Sequence, residues 1–531
     1  MDLLANLALG LEMALTPVNL FYCFAGVFLG TFVGVIPGVG PLAAISMLFP
    51  ITFYLEPTSA LIMLAGIYYG TTYGGSTASI LLNIPGATSA AVTCLDGYPM
   101  AQQGRAGVAL FMTTIASFVG GSFGIIVLSL FSPLIAEYAL TFGPAEYFAL
   151  MVLGLTAVVS LSDKSLIKGL IAAVVGGLVA ASTIANASPS KGLSMVVLGM
   201  LIATVGTDSQ SGIGRFTFGS MSLLEGFGIS AMAMGLFGIG EILTSVGVTR
   251  NAKIDATSAQ MKNMMPTRDD WTRSWKPAIR GSSIGAFFGA LPGTGPSIAA
   301  FMAYAVEKRV SKTPEKFGTG MIEGIVAPET ANNSADQTAF IPTLTLGIPG
   351  SATMALMLGA LMVHGIQPGP TLIAQQPALF WGLVMSFWIG NLILLVLNLP
   401  LIGLWVRLLL IPYHYLYPAI LVFVCIGAYS VRANPIDIFM VLAFGVLGYA
   451  MRIGNLPAAP LLLGFVLGPL VETQFRRAMV LARGDFGDIL TRPIAGTVLA
   501  ISALMLLWTL YGALRRLFSK RRGNDQMIMD E

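Results

Sequence analysis

Residues 26–47 read GVFLGTFVGVIPGVGPLAAISM, and residues 281–302 read GSSIGAFFGALPGTGPSIAAFM. The two stretches align without a gap, 255 positions apart (281 − 26). Both follow G-x-x-x-G-x-x-x-G-x-x-P-G-x-G-P. Gly26, Gly30, Gly34, Gly38 and Gly40 in the first are answered by Gly281, Gly285, Gly289, Gly293 and Gly295 in the second. Pro37 and Pro41 are answered by Pro292 and Pro296. Glycines four apart share one helix face and let a second backbone approach closely. The Pro-Gly-x-Gly-Pro that follows stops the helix, because proline lacks an N–H and crowds the preceding turn, while glycine allows backbone angles closed to other residues. In lipid, backbone groups freed by such a break must be satisfied by protein or by a water-filled cavity. Apolar helices broken at corresponding places in two halves are the sequence mark of a secondary transporter's binding site.

The surroundings of the motif fix the class. Hydrophobic residues make up 55% of the 531 and charged residues only 10%, against about 25% charge in a soluble domain. Long apolar runs in place of alternating ten-residue segments indicate membrane helices and not a barrel. A net charge of +3 gives no reason to invoke nucleic acid. Cys23, Cys94 and Cys425 lie far apart and suggest neither a disulfide framework nor a metal site. With only His364 and His414 present, histidine-rich chemistry is excluded.

A second pair of marks follows the first. Tyr69–Thr93, YGTTYGGSTASILLNIPGATSAAVT, corresponds to the polar, apolar-flanked Ala327–Met357, and Ile84-Pro85-Gly86 matches Ile348-Pro349-Gly350 at a spacing of 264 (348 − 84). Lys and Arg cluster in 250–280, in 307–316 and in the tail, which places these in the cytoplasm. Gly281–Val306 is then flanked by cytoplasm on both sides and is expected to form a re-entrant hairpin. The first copy has only acidic flanks and is expected to open outward. Arg105 follows the first Ile-Pro-Gly, whereas 364–371 after the second carries no Lys or Arg. The expectation is an all-α polytopic membrane protein of two inverted-topology repeats with re-entrant hairpins and broken helices. The first repeat is 1–249, with tips near 37–41 and 84–88. The connecting loop is 250–280, and the second repeat is 281–493, with tips near 292–296 and 348–352. A last transmembrane helix at 494–514 and a basic cytoplasmic tail at 515–531 follow. A loop at 471–493, holding Arg476, Arg477, Arg483 and Arg492, conflicts with this sidedness.

PGVGP, PGTGP, NIPGATSAA and APETANNSADQTAFIPTLTLGIPGSATMALMLGAL resemble the TctA family, the large membrane subunit of tripartite tricarboxylate transporters. RFTFG at 215–219 and QPGP at 367–370 extend the resemblance. It implies a bacterial inner-membrane carrier working with a small membrane subunit (TctB-like) and a periplasmic substrate-binding protein (TctC-like). It further implies uptake of a carboxylate such as citrate, driven by a cation gradient, with no cofactor and no enzymatic activity.

Half-helix N-termini offer amides and a positive dipole end to a carboxylate. The candidate substrate-binding residues are therefore Gly38, Gly40, Asn83, Thr88, Ser89, Gly293, Thr294, Gly295, Ser351 and Thr353, the alternative for the hydroxyl and amide side chains being local helix capping. In Ala331–Thr338, Asn332, Asn333, Asp336, Gln337 and Thr338 supply oxygens suited to a hard cation such as Na⁺, with H⁺ as the alternative coupling ion. Glu241, within an apolar span, and Glu323 and Glu329, nearer a boundary, are further intramembrane acids. Gly281-Ser282-Ser283-Ile284-Gly285 matches G-x-S-x-G, which leaves an intramembrane hydrolase using Ser283 and His364 as one rival reading and a passive anion channel as the other.

Overall fold

The computed structural model describes residues 3–36, 39–161, 189–208, 210–245, 264–292, 294–409 and 434–508, together with single positions between 418 and 429 and residue 511. Gly38, Gly293, the apolar stretch Gly169–Ala185, the first part (250–263) of the expected connecting loop and the 515–531 tail lie outside the described residues. So do most of the last positions of the expected 494–514 helix. The described residues are mostly helical, and the one sheet among them is a two-stranded hairpin. Among the described residues, five helices are long and apolar enough to cross a membrane, at Pro17–Val35, Ala91–Ala139, Pro377–Asn398, Pro435–Ile453 and Ala458–Leu481. The chain divides into two compact units, Met1–Thr141 with Gly228–Ala450, and Phe142–Phe227 with Met451–Glu531.

In the first unit, α1 (Leu3–Ala14), α2 (Pro17–Val35), α3 (Pro41–Leu48), α4 (Pro57–Leu82), α5 (Ala91–Met100) and α6 (Ala106–Ala139) come from the first half of the sequence. The break between α2 and α3 falls where the Pro-Gly-x-Gly-Pro predicts it, and Pro41 sits in the first turn of α3, where its missing N–H costs nothing. The glycine face of α2 lies against α4. A β-carbon on Gly26, Gly30 or Gly34 would collide with the carbonyl of Met63, Ile67 or Thr71 respectively. The seam is reciprocal, since Gly66, Gly70 and Gly74 of α4 touch the backbone of α2. One helix, α4, runs unbroken from Pro57 to Leu82 through a stretch rich in hydroxyl side chains. Its hydroxyls permit this by bonding one turn back, as Thr71 to the Ile67 carbonyl at 2.6 Å and Ser79 to that of Gly75 at 2.9 Å. Asn83 ends α4 in the left-handed region, φ 56°.

The second half of the sequence repeats this arrangement within the same unit. After α7 (Pro144–Leu161) and α8 (Pro189–Ala203) of the other unit come α9 (Arg268–Ala290), α10 (Gly295–Val310), α11 (Glu323–Thr338), α12 (Phe340–Leu346) and α13 (Ala352–Val363). Gly281, Gly285 and Gly289 of α9 abut the backbone of Ala327, Ala331 and Ala335 on α11, each 264 positions beyond Met63, Ile67 and Thr71. Gly347 ends α12 in the left-handed region at φ 69°, 264 beyond Asn83. One difference stands out in the reciprocal face. Where α4 has Gly66, Gly70 and Gly74, α11 has Thr330, Ser334 and Thr338, and Ser334 donates to the Ser282 carbonyl at 2.9 Å. The unit is completed by α14 (Pro377–Asn398) and most of α15 (Pro435–Ile453).

Charged residues gather at one end of this unit. Arg105 binds both oxygens of Asp270 at 2.7 and 2.8 Å, Arg273 binds Glu323, and Arg280 of α9 reaches Glu307 of α10 at 2.6–2.9 Å. Asp270 also closes a capping box with Thr267 at the start of α9. Burial opposes its charge, but Arg105 and the amide and hydroxyl of Thr267 outweigh that and hold its carboxyl below the ordinary value.

The second unit packs α7 and α8 against α16 (Ala458–Leu481). Gly199 meets the Leu461 carbonyl and Gly464 that of Val196, another reciprocal glycine contact. The expected 471–493 loop is not a loop at its start, because α16 runs on to Leu481 and is followed by a short helix, α17 (Phe486–Thr491). Charged residues stay helical here because they are paired. Glu472 binds Arg215 at 2.9 Å and Arg476 at 2.6 Å, and Arg476 binds Asp208 at 3.0 Å. Asp208 and Arg215 belong to the hairpin formed by β1 (Gly206–Thr207) and β2 (Gly214–Arg215). The Gln210 amide first, then Arg476 and Ser211, hold Asp208 down at about 2, although its partial burial works the other way.

Candidate functional site

The four helix breaks of the first unit come together. Gly40, before α3, faces the carbonyl of Gly86 and the side chain of Ala87. Gly295, at φ 68°, faces Ser351 and the Gly350 carbonyl, the equivalent atoms of the second repeat. Gly86 touches Gly75 and the Gly34 carbonyl, and Gly350 touches Ala339 and the Gly289 carbonyl, again in register. The pairs of tips also meet across the repeats, where the hydroxyls of Thr88 and Ser297 are 2.5 Å apart. Thr88 is exposed and Ser297 half-buried, so this pair opens to the surface of the unit. The symmetry-related contact is between α3 and α13. At the positions equivalent to Ser297 and Thr88 it has Leu42 (297 − 255) and Ala352 (88 + 264).

The expected substrate residues divide by what their side chains already do. Ser351 caps α13 by accepting the Met354 amide at 3.2 Å, and Thr294 donates to the carbonyls of Phe288 and Leu291 at the end of α9. For these two side chains the capping alternative describes the geometry. Gly40, Thr88 and Gly295 are at the meeting point itself; Thr353 follows Ser351 in the first turn of α13, and Ser89 is buried beside Thr88. Asn83 is exposed at the end of α4.

A line of buried polar groups runs beneath the tips along α11. Glu329, Asn332 and Asp336 are spaced i, i+3, i+7 and so occupy one helix face. Tyr68 of α4 donates to Asp336 Oδ1 at 2.6 Å. Glu329 is fully buried and receives three hydroxyls from three helices, Ser76 of α4 at 2.9 Å, Thr93 of α5, and Ser117 of α6 at 3.2 Å. Asn391 of α14 joins the same layer, accepting from Tyr73 at 2.8 Å and donating to the Phe118 carbonyl and Ser122. Asp336 Oδ2 and Gln337 Oε1 are buried oxygens that accept no hydrogen bond, a costly condition in a protein interior.

The five expected cation ligands are not gathered on one face, because consecutive helical residues turn about 100°. Thr338 faces α9 and donates to the Ser334 carbonyl, Gln337 lies against Gly124 of α6, and Asn333 donates to the Glu329 carbonyl and Asn332. Only Asn332 and Asp336 share the face toward α4. Glu329, expected near a boundary, is instead fully buried and bonded by three hydroxyls. Its distance from any Lys or Arg in the sequence was the available signal. Tyr68, Thr93, Ser117, Ser297 and Asn391 were missed, since nothing local marks a hydroxyl or amide whose partner is hundreds of positions away. Asp96 was missed as well. It is buried on α5 and binds the amides of Gly318, Gly320 and Met321 at 2.8–2.9 Å and the Tyr304 hydroxyl at 2.9 Å, which ties the first repeat to the loop before α11.

Ser283 of the G-x-S-x-G match is exposed and donates to the Ile279 carbonyl one turn back. Among the described residues no group of three or more His, Cys, Asp or Glu is placed to hold a metal ion.

A family model described as the tripartite tricarboxylate transporter TctA family matches residues 20–189 and 177–463. An Agrobacterium vitis protein described as an uncharacterized 52.8 kDa protein in the TAR-I ttuC' 3' region is 48% identical over 532 residues, covering all of both chains. A second from that organism, described as an uncharacterized protein in the TAR-II ttuC' 3' region, is 52% identical over 248 residues, which is 46% of this chain and all of the relative. No solved structure matches.

Proposed function

The chain belongs to the tripartite tricarboxylate transporter TctA family, and from that premise we propose that it imports a carboxylate by alternating access, driven by a cation gradient. It is a multi-pass protein of the bacterial inner membrane and a transporter subunit, not an enzyme. The substrate is a tricarboxylate such as citrate or a related organic acid, handed over by a periplasmic TctC-like binding protein, with a TctB-like small subunit alongside.

The observation that carries alternating access is the pairing across the repeats. Tyr68 meets Asp336 and Ser76 meets Glu329, so α4 and α11 run antiparallel where they face each other. These are the equivalent helices of the two repeats, at a spacing of 264. Equivalent helices running in opposite directions support an inverted repeat, the architecture that gives a carrier two matching, oppositely facing openings. The Arg280–Glu307 pair ties α9 to α10 below the break, which supports a re-entrant hairpin with both ends on one side. The Arg105–Asp270 pair supports placing Arg105 on the same, cytoplasmic, side.

The substrate carboxylate sits at the tips around Gly40, Thr88 and Gly295. The coupling ion is Na⁺, held by Asp336 and Asn332 with oxygens contributed from α4. Hydroxyl-bearing neighbours, an unpartnered carboxylate oxygen and the absence of Lys or Arg between Lys316 and Arg407 all favour a hard cation here.

The test is uptake in proteoliposomes supplied with the binding protein, with Na⁺ and pH gradients imposed separately across a panel of mono-, di- and tricarboxylates. Accumulation above equilibrium, driven by Na⁺, is expected. Equilibration without accumulation would support a passive channel, and dependence on the pH gradient alone would replace Na⁺ by H⁺.

A further inference from the structure

The tips are equivalent by repeat but not by chemistry, and among the described residues the side-chain hydrogen bond that joins a tip of one repeat to a tip of the other is Thr88 with Ser297. We propose that Thr88 and Ser297 are ligands of a substrate carboxylate group, and that their mutual hydrogen bond is the closed state of the site. The proposal rests on the carrier reading above and names the side chains that act in it.

Each hydroxyl carries one donor proton. When the two are bonded to each other at 2.5 Å, one donor is used internally and there is no room for an anion between them. A carboxylate has two oxygens and accepts from two donors at once, so inserting it replaces one hydroxyl–hydroxyl bond by two charge-assisted ones. Because Thr88 follows the first repeat's Ile-Pro-Gly and Ser297 follows the second repeat's Pro-Gly-x-Gly-Pro, that exchange requires the repeats to part at this point. Substrate entry and inter-repeat movement are thereby the same event. The equivalent positions, Leu42 and Ala352, have no polar side-chain atom to offer a carboxylate. The site therefore binds charge at one pair of tips and meets carbon at the other. A substrate must accordingly present a carboxylate at one end and tolerate an apolar wall opposite.

Two sets of variants test this in the full-length protein with its binding protein, using whichever acids of the carboxylate panel the wild type accumulates. S297A and T88A are each expected to raise the KM for the carboxylate about tenfold, the loss of one hydrogen bond to a charged group, while leaving the Na⁺ dependence of uptake unchanged. A purely structural role would lower the maximal rate or the yield of folded protein without that selective change in KM, and would overturn the proposal. In a variant lacking Cys23, Cys94 and Cys425, T88C with S297C is expected to cross-link under mild oxidation, to block uptake until reduced, and to cross-link at least tenfold more slowly when a transported acid is present. Cross-linking at equal rates with and without the acid, or undiminished uptake by the cross-linked protein, would overturn it. If the wild type accumulates none of the acids, the carrier reading itself fails, and that result is distinct from normal wild-type uptake with unaffected variants.

Discussion

At the scale of single residues, two acids of α11 in the same unit have opposite characters. Glu329 has three hydroxyl donors, whereas Asp336 has one and leaves an oxygen unpartnered. Glu329→Ala strands three buried hydroxyls and is expected to lower stability by about 3 kcal/mol, read as a drop in thermal unfolding temperature in detergent. Unchanged stability would mean that the hydroxyls find other partners. Asp336→Asn keeps the size and the Tyr68 contact but removes the charge, so it is expected to raise the Na⁺ concentration for half-maximal uptake at least tenfold while altering carboxylate affinity much less. Equal responses of the two variants in both assays would erase the distinction between them. The sequence disclosed Asp336 because it stands among polar neighbours, but it disguised Glu329, whose partners Ser76, Thr93 and Ser117 come from three other helices. A buried polar group is recognised by what satisfies it, and that information is spread along the chain.

At the scale of elements, the glycine faces were legible and the polar ones were not. A G-x-x-x-G spacing has one physical meaning, close backbone approach, and Gly26, Gly30 and Gly34 meet α4 as the spacing requires. The continuity of α4 was not legible, because Thr71, Thr72, Ser76 and Ser79 lower its hydropathy and their bonds to carbonyls one turn back are invisible in composition. Gly30→Leu and Gly285→Leu are each expected to abolish uptake, since even a β-carbon would strike the carbonyl of Ile67 or Ala331. Normal transport by both leucine variants would remove the seams from the mechanism. The hairpin of β1 and β2 gives a pH-dependent check. The bonds to Asp208 hold its folded-state value at about 2, below the ~3.9 of an unfolded aspartate. Its contribution to stability is therefore complete above about pH 4 and disappears as pH falls toward 2. The stability gap between wild type and Asp208→Asn should close over that interval, and a gap independent of pH would show that the bonds of Asp208 do not stabilise the fold.

At the scale of the whole molecule, the repeat was legible because the two Pro-Gly-x-Gly-Pro motifs and the two Ile-Pro-Gly motifs fix its spacing. The division into two compact units was not, since each unit draws on both halves of the sequence and nothing local records which distant segments pack together. Cysteine labelling from each side of the membrane is expected to find Arg105, 268–280 and 307–316 accessible from the cytoplasm, and Glu56 and 364–371 from outside. Opposite accessibilities for 268–280 and 307–316 would dismantle the second hairpin. The two repeats also differ in how their paired helices would yield under load. Between α2 and α4, the glycines of each helix meet the backbone of the other, and the side-chain bond across the seam lies near the starts of both helices, from Ser59 to Asn19 at 2.6 Å. Between α9 and α11, Thr330, Ser334 and Thr338 fill the same places, and the Ser334–Ser282 bond acts as a pin. Each seam thus carries one side-chain tie, at the end of the glycine face in the first repeat and within it in the second, so lengthwise shear is expected to be easier along the glycine-lined stretch of the first.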